Sequence, residues 1–276
     1  MNWIINIIIS SYDGEAYLRD QLASLFAQSV QDFTVLIRDD GSADNTLAII
    51  AEYQMLYPNR IRLVSGSSEN LGSRKSFMKL LEHADAPYIM LCDQDDVWGS
   101  DKIEVSLTKI REMEKNHGAD KPLLVFTDMR VVDGELNVIH ESFWKYQKLD
   151  PEIAHDWKKL LAQNVITGCT MIMNRAAREV SLPFAVPTMM HDHWIGVNVA
   201  KYGKVGYLDA PTVLYRQHGA NVEGAHRYGW SYVLQKLKNI DESIRKLYRS
   251  AVHFDVSFVL LLIYKFTINI ERILKR

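Results

Sequence analysis

The chain has 276 residues, of which 47% are hydrophobic and 24% charged, and its 32 Lys and Arg nearly balance its 34 Asp and Glu. This composition excludes intrinsic disorder and a generally basic nucleic-acid-binding surface, and it indicates a globular protein with ample chain for a buried core. The charge is unevenly spread: residues 226–276 contain ten Lys or Arg and four Asp or Glu, a net charge of +6, which leaves −8 on residues 1–225.

The N-terminus and the cysteines indicate a cytoplasmic protein. Residues 1–9 lack the basic start and the cleavage site of a secretory signal peptide, so this stretch is predicted to form a first strand. Cys92 and Cys169 lie in apolar runs without zinc-site spacing, and we expect both to be reduced, buried thiols.

Strand and helix patterns alternate through the first 120 residues. Apolar residues at helical spacing, beginning with Leu18, Leu22 and Leu25, predict helices between short apolar runs that predict strands. Such alternation predicts a parallel sheet with helices on both faces. The predicted strands are 4–10, 33–37, 61–64 and 88–92, and the later helices are 46–56, capped by Asp44 or Asn45, and 76–83.

The pattern is less regular beyond residue 121. Asp133-Gly134 is predicted to form a hairpin turn, and residues 142–163 show no strand periodicity. The remaining predictions are strands at 123–127, 170–173, 205–208 and 212–215, a helix at 194–202, and helical structure after residue 229.

Three carboxylates, Asp93, Asp95 and Asp96, follow the predicted strand 88–92 directly. The C-terminal ends of strands are where open α/β sheets place their ligands. Carboxylates this close together repel one another unless a cation lies among them, and a hard divalent ion with oxygen ligands is the natural candidate. A solvated acidic turn is the simpler alternative.

A helix is predicted after this acidic stretch, with Ser100 as its N-cap and apolar residues on one face. A calcium-binding EF-hand loop over residues 93–104 is excluded. Val97 and Trp98 stand where such a loop needs an oxygen ligand and a glycine.

Three further polar loops, at residues 10–14, 39–42 and 70–75, follow predicted strands and would open at the same sheet edge as the acidic stretch. Arg74 or Lys75 could offset the charge of a diphosphate there. No GxGxxG follows the first strand and no GxxxxGK[ST] occurs, so a glycine-rich phosphate loop is excluded.

The same loops carry groups suited to a nucleoside. Asp39 or Asp40 could accept hydrogen bonds from the edge of a nucleobase, and Ser11 with the backbone of Tyr12 could hold a ribose or base. Each loop alone would be an ordinary turn. Four polar loops at one edge favour a nucleotide-binding site.

Together these motifs resemble the family 2 glycosyltransferases of the GT-A fold, over about residues 4–225. A departure is Asp13, where the family usually has Asn, and we expect this to affect loop geometry rather than chemistry. The segments that carry the resemblance are Ile8-Ile9-Ser10-Ser11-Tyr12-Asp13-Gly14, Arg38–Thr46, Asn70-Leu71-Gly72 and Asp93-Gln94-Asp95-Asp96-Val97-Trp98. Two later segments are similar to the bacterial rhamnosyltransferase-like branch: His191-Asp192-His193-Trp194 and Leu214-Tyr215-Arg216-Gln217-His218-Gly219-Ala220-Asn221.

The resemblance implies a GT-A fold of α/β class, Rossmann-like with a mostly parallel sheet, and a site for Mg²⁺ or Mn²⁺. Asp95 would hold the cation, His218 could supply a further ligand or a diphosphate contact, and Asp93 and Asp96 would support the site or contact the sugar. Asp192 matches the general base that deprotonates the acceptor hydroxyl. Its alternative role is the N-cap of the predicted helix.

The resemblance also implies further contacts. Donor contacts are expected from Ser10, Ser11, Tyr12, Asp39, Asp40, Arg74, Lys75, Asp93 and Arg216. Contacts to the acceptor, or support of the site, are expected from Asp96, Trp98, Gly168, Cys169, His191, His193 and Trp194.

The predicted function is a metal-dependent, inverting transfer of a sugar, L-rhamnose from dTDP-L-rhamnose, in bacterial surface polysaccharide assembly. Transfer of glucose or galactose from a UDP-sugar is the nearest alternative. A nucleotidyltransferase and a non-catalytic carbohydrate-binding module are the alternatives from other classes. Expected partners are the nucleotide-sugar donor, a glycan or lipid-linked acceptor and a second copy of the chain, with no nucleic acid.

Residues 1–225 are predicted to form the transferase domain, with a donor-binding half at 1–120 and an acceptor-binding half at 121–225. Residues 226–276 are predicted to form a helical extension. Its apolar run 256–264 is too short to span a membrane. With its basic flanks it could lie on the anionic cytoplasmic face of a membrane, or it could pack on its own domain or a partner subunit.

Overall fold

The computed structural model describes residues 3–64, 70–186, 188–218 and 240–274. A curled sheet runs through the centre, with the strand order β3-β2-β1-β4-β8-β6-β9-β5 and with β7 paired to β6. The strands are β1 Ile5–Ser11, β2 Phe33–Asp39, β3 Ile61–Leu63, β4 Tyr88–Cys92, β5 Val97–Trp98, β6 Leu123–Val132, β7 Val138–His140, β8 Ile172–Asn174 and β9 Lys204–Arg216.

Helices flank both faces of this sheet. They are α1 Leu18–Phe26, α2 Thr46–Leu56, α3 Gly72–His83, α4 Lys102–His117, α5 Phe143–Gln147, α6 Trp157–Ala162, α7 Arg175–Val180, α8 His191–Tyr202, α9 Ile240–Phe254 and α10 Phe258–Leu274. Short 3-10 turns occur at Pro151–His155 and Gly168–Thr170.

The first half of the sheet is wholly parallel, as the alternating pattern predicts. β1 pairs with both β2 and β4, and β2 pairs with β3, all in parallel register. Every residue of β4 is buried, as are nearly all residues of β1 and β2. A parallel strand covered by helices on both faces favours this continuous Ile, Val and Leu content.

The second half of the sheet contains antiparallel strands. β8 lies antiparallel to both β4 and β6, β5 lies antiparallel to β9, and β9 runs parallel to β6. The hairpin predicted at Asp133-Gly134 is confirmed, because β6 and β7 pair antiparallel across it.

The prediction of two short strands at 205–208 and 212–215 is wrong, because the structure has one strand, β9, over this stretch. The register against β6 shifts between Thr127, opposite Leu208, and Asp128, opposite Pro211. A bulge of this kind lets the chain continue past a proline that cannot donate to the ladder.

Several helix boundaries also differ from the predictions. α4 begins at Lys102 after Asp101, so Ser100 is not its N-cap. α8 begins at His191 after Met190, three residues earlier than predicted. Residues 142–163 form two short helices and a 3-10 turn, which accounts for their lack of strand periodicity.

The C-terminal helix α10 packs one face against α6. Leu261 and Ile268 are buried there, Lys265 Nζ donates to Gln163 Oε1 at 3.0 Å, and Arg272 donates to the Gln147 carbonyl at 2.6 Å. Within the described ranges, every helix is too short or too polar to cross a bilayer.

Candidate active site

The predicted strand-end loops converge at one edge of the sheet. In the register of β1, β2 and β4, Ser11 lies opposite Asp39 and Ile9 lies opposite Cys92, so the residues that follow these strands are neighbours. Gln94, in the acidic stretch, accepts from the Tyr12 backbone N–H at 2.9 Å and donates to the Tyr12 carbonyl at 2.8 Å. This amide bridge is a contact that the sequence patterns did not single out.

Asp39 holds its loop in a fixed shape. Its carboxylate accepts hydrogen bonds from the hydroxyl of Ser11 at 3.0 Å and from the backbone N–H and hydroxyl of Ser42 at 2.9 and 2.6 Å. Asp13, which has a left-handed φ of 43°, accepts from Ala43 N at 2.8 Å. The carboxylate of Asp13 therefore acts on the geometry of the two loops.

Asp40 is buried and ties the third polar loop to the second. Its carboxylate forms an ion pair with Arg38 and accepts from the backbone N–H groups of Leu71 and Gly72 at 2.9 and 2.7 Å. Ser10 lies beside this pair, donating to the hydroxyl of Ser76 at 2.7 Å. These groups position the loops from inside the protein.

Arg74 and Lys75 are exposed in the first turn of α3. Arg74 donates a hydrogen bond to the carbonyl of Thr188 at 3.4 Å. Thr188 belongs to the segment that leads into α8. Arg74, a predicted donor-binding cation, therefore lies where the first turn of α3 meets the segment before α8.

The acidic stretch forms a compact cluster with Cys169. One ligand atom from each of Asp93, Asp96 and Cys169 lies within 4.8 Å of the others. Asp96 is fully buried: its Oδ1 accepts the backbone N–H of Arg216 at 3.1 Å, and its Oδ2 has no hydrogen-bond partner among the described residues. Asp95 Oδ2 lies 2.8 Å from Nε2 of His218.

Burial and mutual repulsion raise the pKa values of these carboxyl groups. Burial, followed by the charges of Asp95 and Asp192, raises the pKa of Asp93 to about 7. Burial, followed by the charges of Asp95 and Asp93, raises the pKa of Asp96 well above its ordinary value. Crowded carboxylates are stabilised as anions by a cation placed between them.

Cys169 contributes a thiol to this cluster rather than a thiolate. Burial, followed by the charges of Asp96 and Asp93, raises its pKa well above the ordinary range. A protonated thiol is a weak hydrogen-bond donor and not a metal ligand. Hard cations such as Mg²⁺ and Mn²⁺ prefer carboxylate oxygen, so the aspartates and His218 are the groups here that fit such an ion.

A buried lysine, Lys102, lies beneath the cluster. Its Nζ is 3.4 Å from the hydroxyl of Thr212 and 4.7 Å from the ring centroid of Trp98. Burial lowers the pKa of Lys102 to about 8, against the opposing effects of Cys169, Cys92 and Asp96. The sequence pattern missed this residue, because a lysine at a helix start normally indicates a solvated side chain.

Asp192 lies in the first turn of α8. Its Oδ1 accepts a hydrogen bond from the backbone N–H of the next residue, His193, at 2.6 Å. The N-cap is Met190, so the alternative role of Asp192 as the N-cap is wrong. A Cβ on Gly168 would lie 3.0 Å from His191 Nε2 and 3.6 Å from Asp192 Cβ. The Gly168 turn therefore packs closely against the start of α8.

The residues around Asp192 differ in their surroundings. His191 is buried and stacks on Phe77 with ring centroids 4.3 Å apart, and burial lowers its pKa to about 3. His193 Nε2 lies 2.8 Å from the Leu160 carbonyl, and burial lowers its pKa to about 4. Trp194 is buried and donates to the carbonyl of Ser181 at 2.7 Å. Among these three, His191 faces the Gly168 turn.

The end of β9 brings two more predicted residues to the acidic stretch. Arg216 is 3% exposed and donates to the Asp95 carbonyl at 2.9 Å, to the Gly134 carbonyl at 2.8 Å and to the carboxylate of Asp20 at 2.9 Å. His218 packs against Tyr17, with ring centroids 4.5 Å apart. The motif residues 219–221 lie outside the described residues.

Comparison with known proteins gives matches to sequences and to solved structures. The family model described as Glycosyl transferase family 2 matches residues 6–180. A dTDP-rhamnosyl transferase, RfbG of Shigella flexneri, is 29% identical over 227 residues, which cover 79% of this chain and 74% of that protein. Some other relatives are longer, and the match spans 60% of their length at 27% identity.

Two solved structures are similar in fold. Residues 1–349 of S. aureus TarS in complex with UDP-GlcNAc match with a TM-score of 0.60 at 16% identity, covering 96% of this chain and 70% of that one. A mannosyltransferase of Pyrobaculum calidifontis in complex with GDP-Man and Mn²⁺ matches with a TM-score of 0.60 at 12% identity, covering 97% and 74%.

Proposed function

Because this chain belongs to glycosyl transferase family 2 and is a glycosyltransferase with a GT-A fold, we propose that it transfers a sugar from a nucleoside diphosphate to an acceptor hydroxyl with inversion and with a divalent cation. The observation that carries this proposal is the contact of Asp192 with the Gly168 turn. A Cβ on Gly168 would lie 3.6 Å from Asp192 Cβ, and the next residue, Cys169, lies within 4.8 Å of the carboxylates of Asp93 and Asp96. A cation site with a base close to it suits an in-line displacement.

Asp192 is proposed as the general base. Its carboxylate is partly buried at the start of α8, and the hydrogen bond from the His193 N–H orients one oxygen. This carboxylate can take the proton from an acceptor hydroxyl as the hydroxyl oxygen attacks the anomeric carbon. The tight Gly168 contact holds the start of α8, and with it this carboxylate, in place.

Asp95 and His218 are proposed to hold Mg²⁺ or Mn²⁺, with Asp93 and Asp96 supporting the site. When bound, the ion would act as a Lewis acid that neutralises the departing nucleoside diphosphate. Ser11, Tyr12 and Asp39 lie at the adjacent loops, where the nucleoside is proposed to bind.

The proposed donor is dTDP-L-rhamnose, and the proposed product is part of a bacterial surface polysaccharide. The name of the Shigella relative supports this donor. A UDP-hexose is the second candidate, because the similar TarS structure binds UDP-GlcNAc. A glycan or lipid-linked molecule is proposed as the acceptor.

A donor screen tests the function. Nucleoside diphosphate release from dTDP-L-rhamnose, UDP-glucose, UDP-galactose and UDP-GlcNAc is measured with Mn²⁺, with Mg²⁺ and with EDTA. Thermal shift with each nucleotide accompanies it, because bound ligand stabilises the folded chain even without turnover. Absence of both release and stabilisation for every donor would refute the proposal.

Substitution of the base separates catalysis from binding. We predict that Asp192→Asn reduces transfer by about 10²-fold or more, because general-base catalysis contributes about 10²–10⁴, and that donor binding is retained. The measurement pairs product formation with the thermal shift produced by the donor and Mn²⁺. Retained turnover would contradict the assignment of Asp192.

Peripheral contact with an anionic membrane face is proposed for α10. The face of this helix opposite α6 is apolar and exposed, with Phe266 68% and Val259 64% exposed to solvent. Basic residues Arg245, Lys246 and Arg249 lie on the neighbouring helix α9. An exposed apolar helix face together with basic residues on the neighbouring helix suits the interface of an anionic leaflet.

A further inference from the structure

Tyr17 lies between the loop after β1 and the end of β9. It is the N-cap residue of α1, and its backbone N–H donates to the carbonyl of Gly14 at 3.1 Å. Its ring packs against the imidazole of His218, with ring centroids 4.5 Å apart and the ring planes inclined by 34°. A residue outside the predicted set of site residues therefore contacts one of the proposed cation ligands.

The same ring also contacts Arg216, which precedes His218 by two residues. The central guanidinium carbon of Arg216 lies 4.7 Å from the ring centroid of Tyr17. A guanidinium over an aromatic face is attracted by the electron density of the ring. Tyr17 therefore holds the chain at the last residue of β9 and again at His218.

The first turn of α1 fixes Arg216 by a second contact. Asp20, one helical turn after Tyr17, accepts a hydrogen bond from Nη2 of Arg216 at 2.9 Å. On its other side, Nε of Arg216 donates to the carbonyl of Asp95 at 2.9 Å. The buried guanidinium thus joins α1 to the acidic stretch, and the backbone that leads to His218 starts from a fixed point.

The imidazole of His218 is directed at Asp95. Its Nε2 lies 2.8 Å from Oδ2 of Asp95, and the two side chains are 13% and 18% exposed, so a cation from solvent can reach both. An imidazole can turn about its side-chain bonds unless a neighbour restricts it. The ring of Tyr17, packed on the imidazole, supplies such a restriction.

The loop that leads into Tyr17 is itself held in one shape. The amide of Gln94 binds both backbone groups of Tyr12, and the backbone N–H of Gly14 donates to the hydroxyl of Thr46 at 2.8 Å. A Cβ on Gly14 would lie 2.4 Å from Oε1 of Gln94, so only glycine allows this approach. Tyr17 is therefore placed by the loop at which the nucleoside is proposed to bind.

We propose that Tyr17 is a positioning residue for the cation site: its ring holds the imidazole of His218 with Nε2 turned towards Asp95, so that both groups can bind one divalent ion. Tyr17 itself does not touch the ion. A neighbouring group that orients a metal ligand typically changes metal affinity by about 10- to 100-fold when it is removed. This inference rests on the proposed function, in which Asp95 and His218 hold Mg²⁺ or Mn²⁺.

Binding of Mn²⁺ to the full chain tests this role without turnover. Free Mn²⁺ is measured by electron paramagnetic resonance while the ion is titrated in the presence of saturating dTDP, and in parallel with UDP. Tyr17→Leu is expected to bind Mn²⁺ about tenfold more weakly than the wild type or worse, because the ring that orients His218 is lost. Tyr17→Phe keeps the ring and is expected to match the wild type.

Tyr57→Leu is the matched control. It also removes a partly buried tyrosine that stacks on another ring, since Tyr57 and Phe26 have centroids 3.6 Å apart, and it is expected to keep the wild-type affinity for Mn²⁺.

A double-mutant cycle shows whether Tyr17 acts through His218. His218→Ala is expected to weaken Mn²⁺ binding, and Tyr17→Leu in that background is expected to add no further loss, because the ligand that it orients is gone. Nitrogen modulation of the bound Mn²⁺ in pulsed electron paramagnetic resonance reports a directly bonded imidazole. It is expected in the wild type and Tyr17→Phe, and to be lost in His218→Ala and reduced in Tyr17→Leu.

Wild-type Mn²⁺ affinity in Tyr17→Leu would overturn the inference, as would losses that add in the double variant or equal weakening in Tyr17→Leu and Tyr57→Leu. If His218→Ala weakens Mn²⁺ binding and Tyr17→Leu does not, the role of Tyr17 fails and the proposed cation site stands. Wild-type affinity in His218→Ala, or absence of Mn²⁺ binding in the wild type, would refute the cation site of the proposed function and this inference with it.

Discussion

At the scale of single residues, the aspartates of the acidic stretch have different surroundings although they are adjacent in sequence. Asp96 is buried and held by the backbone of Arg216, whereas Asp95 is partly exposed and meets His218. Burial, followed by the charges of Asp95 and Asp192, raises the pKa of Asp93. Of the three, Asp95 is the one whose carboxylate pairs with another potential metal ligand.

Asp95→Ala is predicted to abolish metal-dependent donor binding. The substitution removes the carboxylate proposed to hold the cation and leaves the base untouched. The measurement is the thermal shift caused by nucleoside diphosphate with and without Mn²⁺. Asp120→Asn, at an exposed turn, is the matched control and should keep the full shift. An unchanged Mn²⁺ requirement in Asp95→Ala would count against this role.

His191 is predicted to make the protein less stable in mild acid. Its pKa is lowered from the ordinary 6.5 to about 3 by burial, so the unfolded chain binds a proton at this residue that the folded chain does not. The free energy of unfolding should therefore be unaffected above pH 6.5 and decrease as pH falls from 6.5 towards 3. By pH 5 this residue alone accounts for a loss of about 2 kcal/mol.

Urea unfolding of wild type and His191→Gln at several pH values between 7 and 5 measures this effect. The variant should show a shallower decline of stability with falling pH. His117→Gln, at an exposed position on α4, should keep the wild-type slope. Identical slopes for all three proteins would mean that His191 does not stay neutral in the folded state.

At the scale of elements, α10 has two faces with different roles. One face is buried on α6, as one of the sequence interpretations expects, and the opposite face remains exposed. The exposed apolar residues are Val259, Leu262, Ile263, Phe266, Ile270, Ile273 and Leu274, which recur at helical spacing.

Ile263→Ser with Phe266→Ser is predicted to reduce binding to anionic vesicles without lowering the melting temperature, because both side chains are more than half exposed. Co-sedimentation with vesicles of phosphatidylglycerol and phosphatidylcholine measures this. Met55→Ser with Leu56→Ser, two exposed apolar residues on α2, is the control and should leave binding unchanged. A monomer–dimer shift in place of lost vesicle binding would identify a second copy as the partner of this face.

At the scale of the whole molecule, Arg216 joins parts of the chain that are distant in sequence. Its guanidinium contacts Asp20 on α1, the carbonyl of Asp95 in the acidic stretch and the carbonyl of Gly134 in the β6–β7 turn. Its backbone N–H also holds Asp96. One buried side chain therefore fixes the end of β9 against the proposed cation site.

Arg216→Lys is predicted to destabilise the fold by about 2–4 kcal/mol, because a lysine keeps the charge but cannot make the divergent hydrogen bonds of a guanidinium. Urea unfolding measures the change. Arg19→Lys, in an exposed pair with Glu52, should be close to neutral. A similar small effect at both positions would show that Arg216 does not link these parts of the structure.

The sequence by itself determined the local architecture and which loops meet at one edge of the sheet. Thr46–Leu56 and Tyr88–Cys92 have the bounds that periodicity predicts, and the polar loops after the parallel strands meet at one edge. These features depend on alternation, helical spacing and the rule that parallel strands end together, all of which act over short stretches of chain.

Only the tertiary structure decided which distant groups meet. It made β9 one strand past Pro211 and so brought His218 to Asp95, buried Lys102 beneath the cluster and placed Arg74 across from α9. Contacts between residues far apart in sequence depend on how whole elements pack, and local propensity carries no information about that. The final position of each charged side chain follows from this packing, because burial and neighbouring charges act only once the elements have come together.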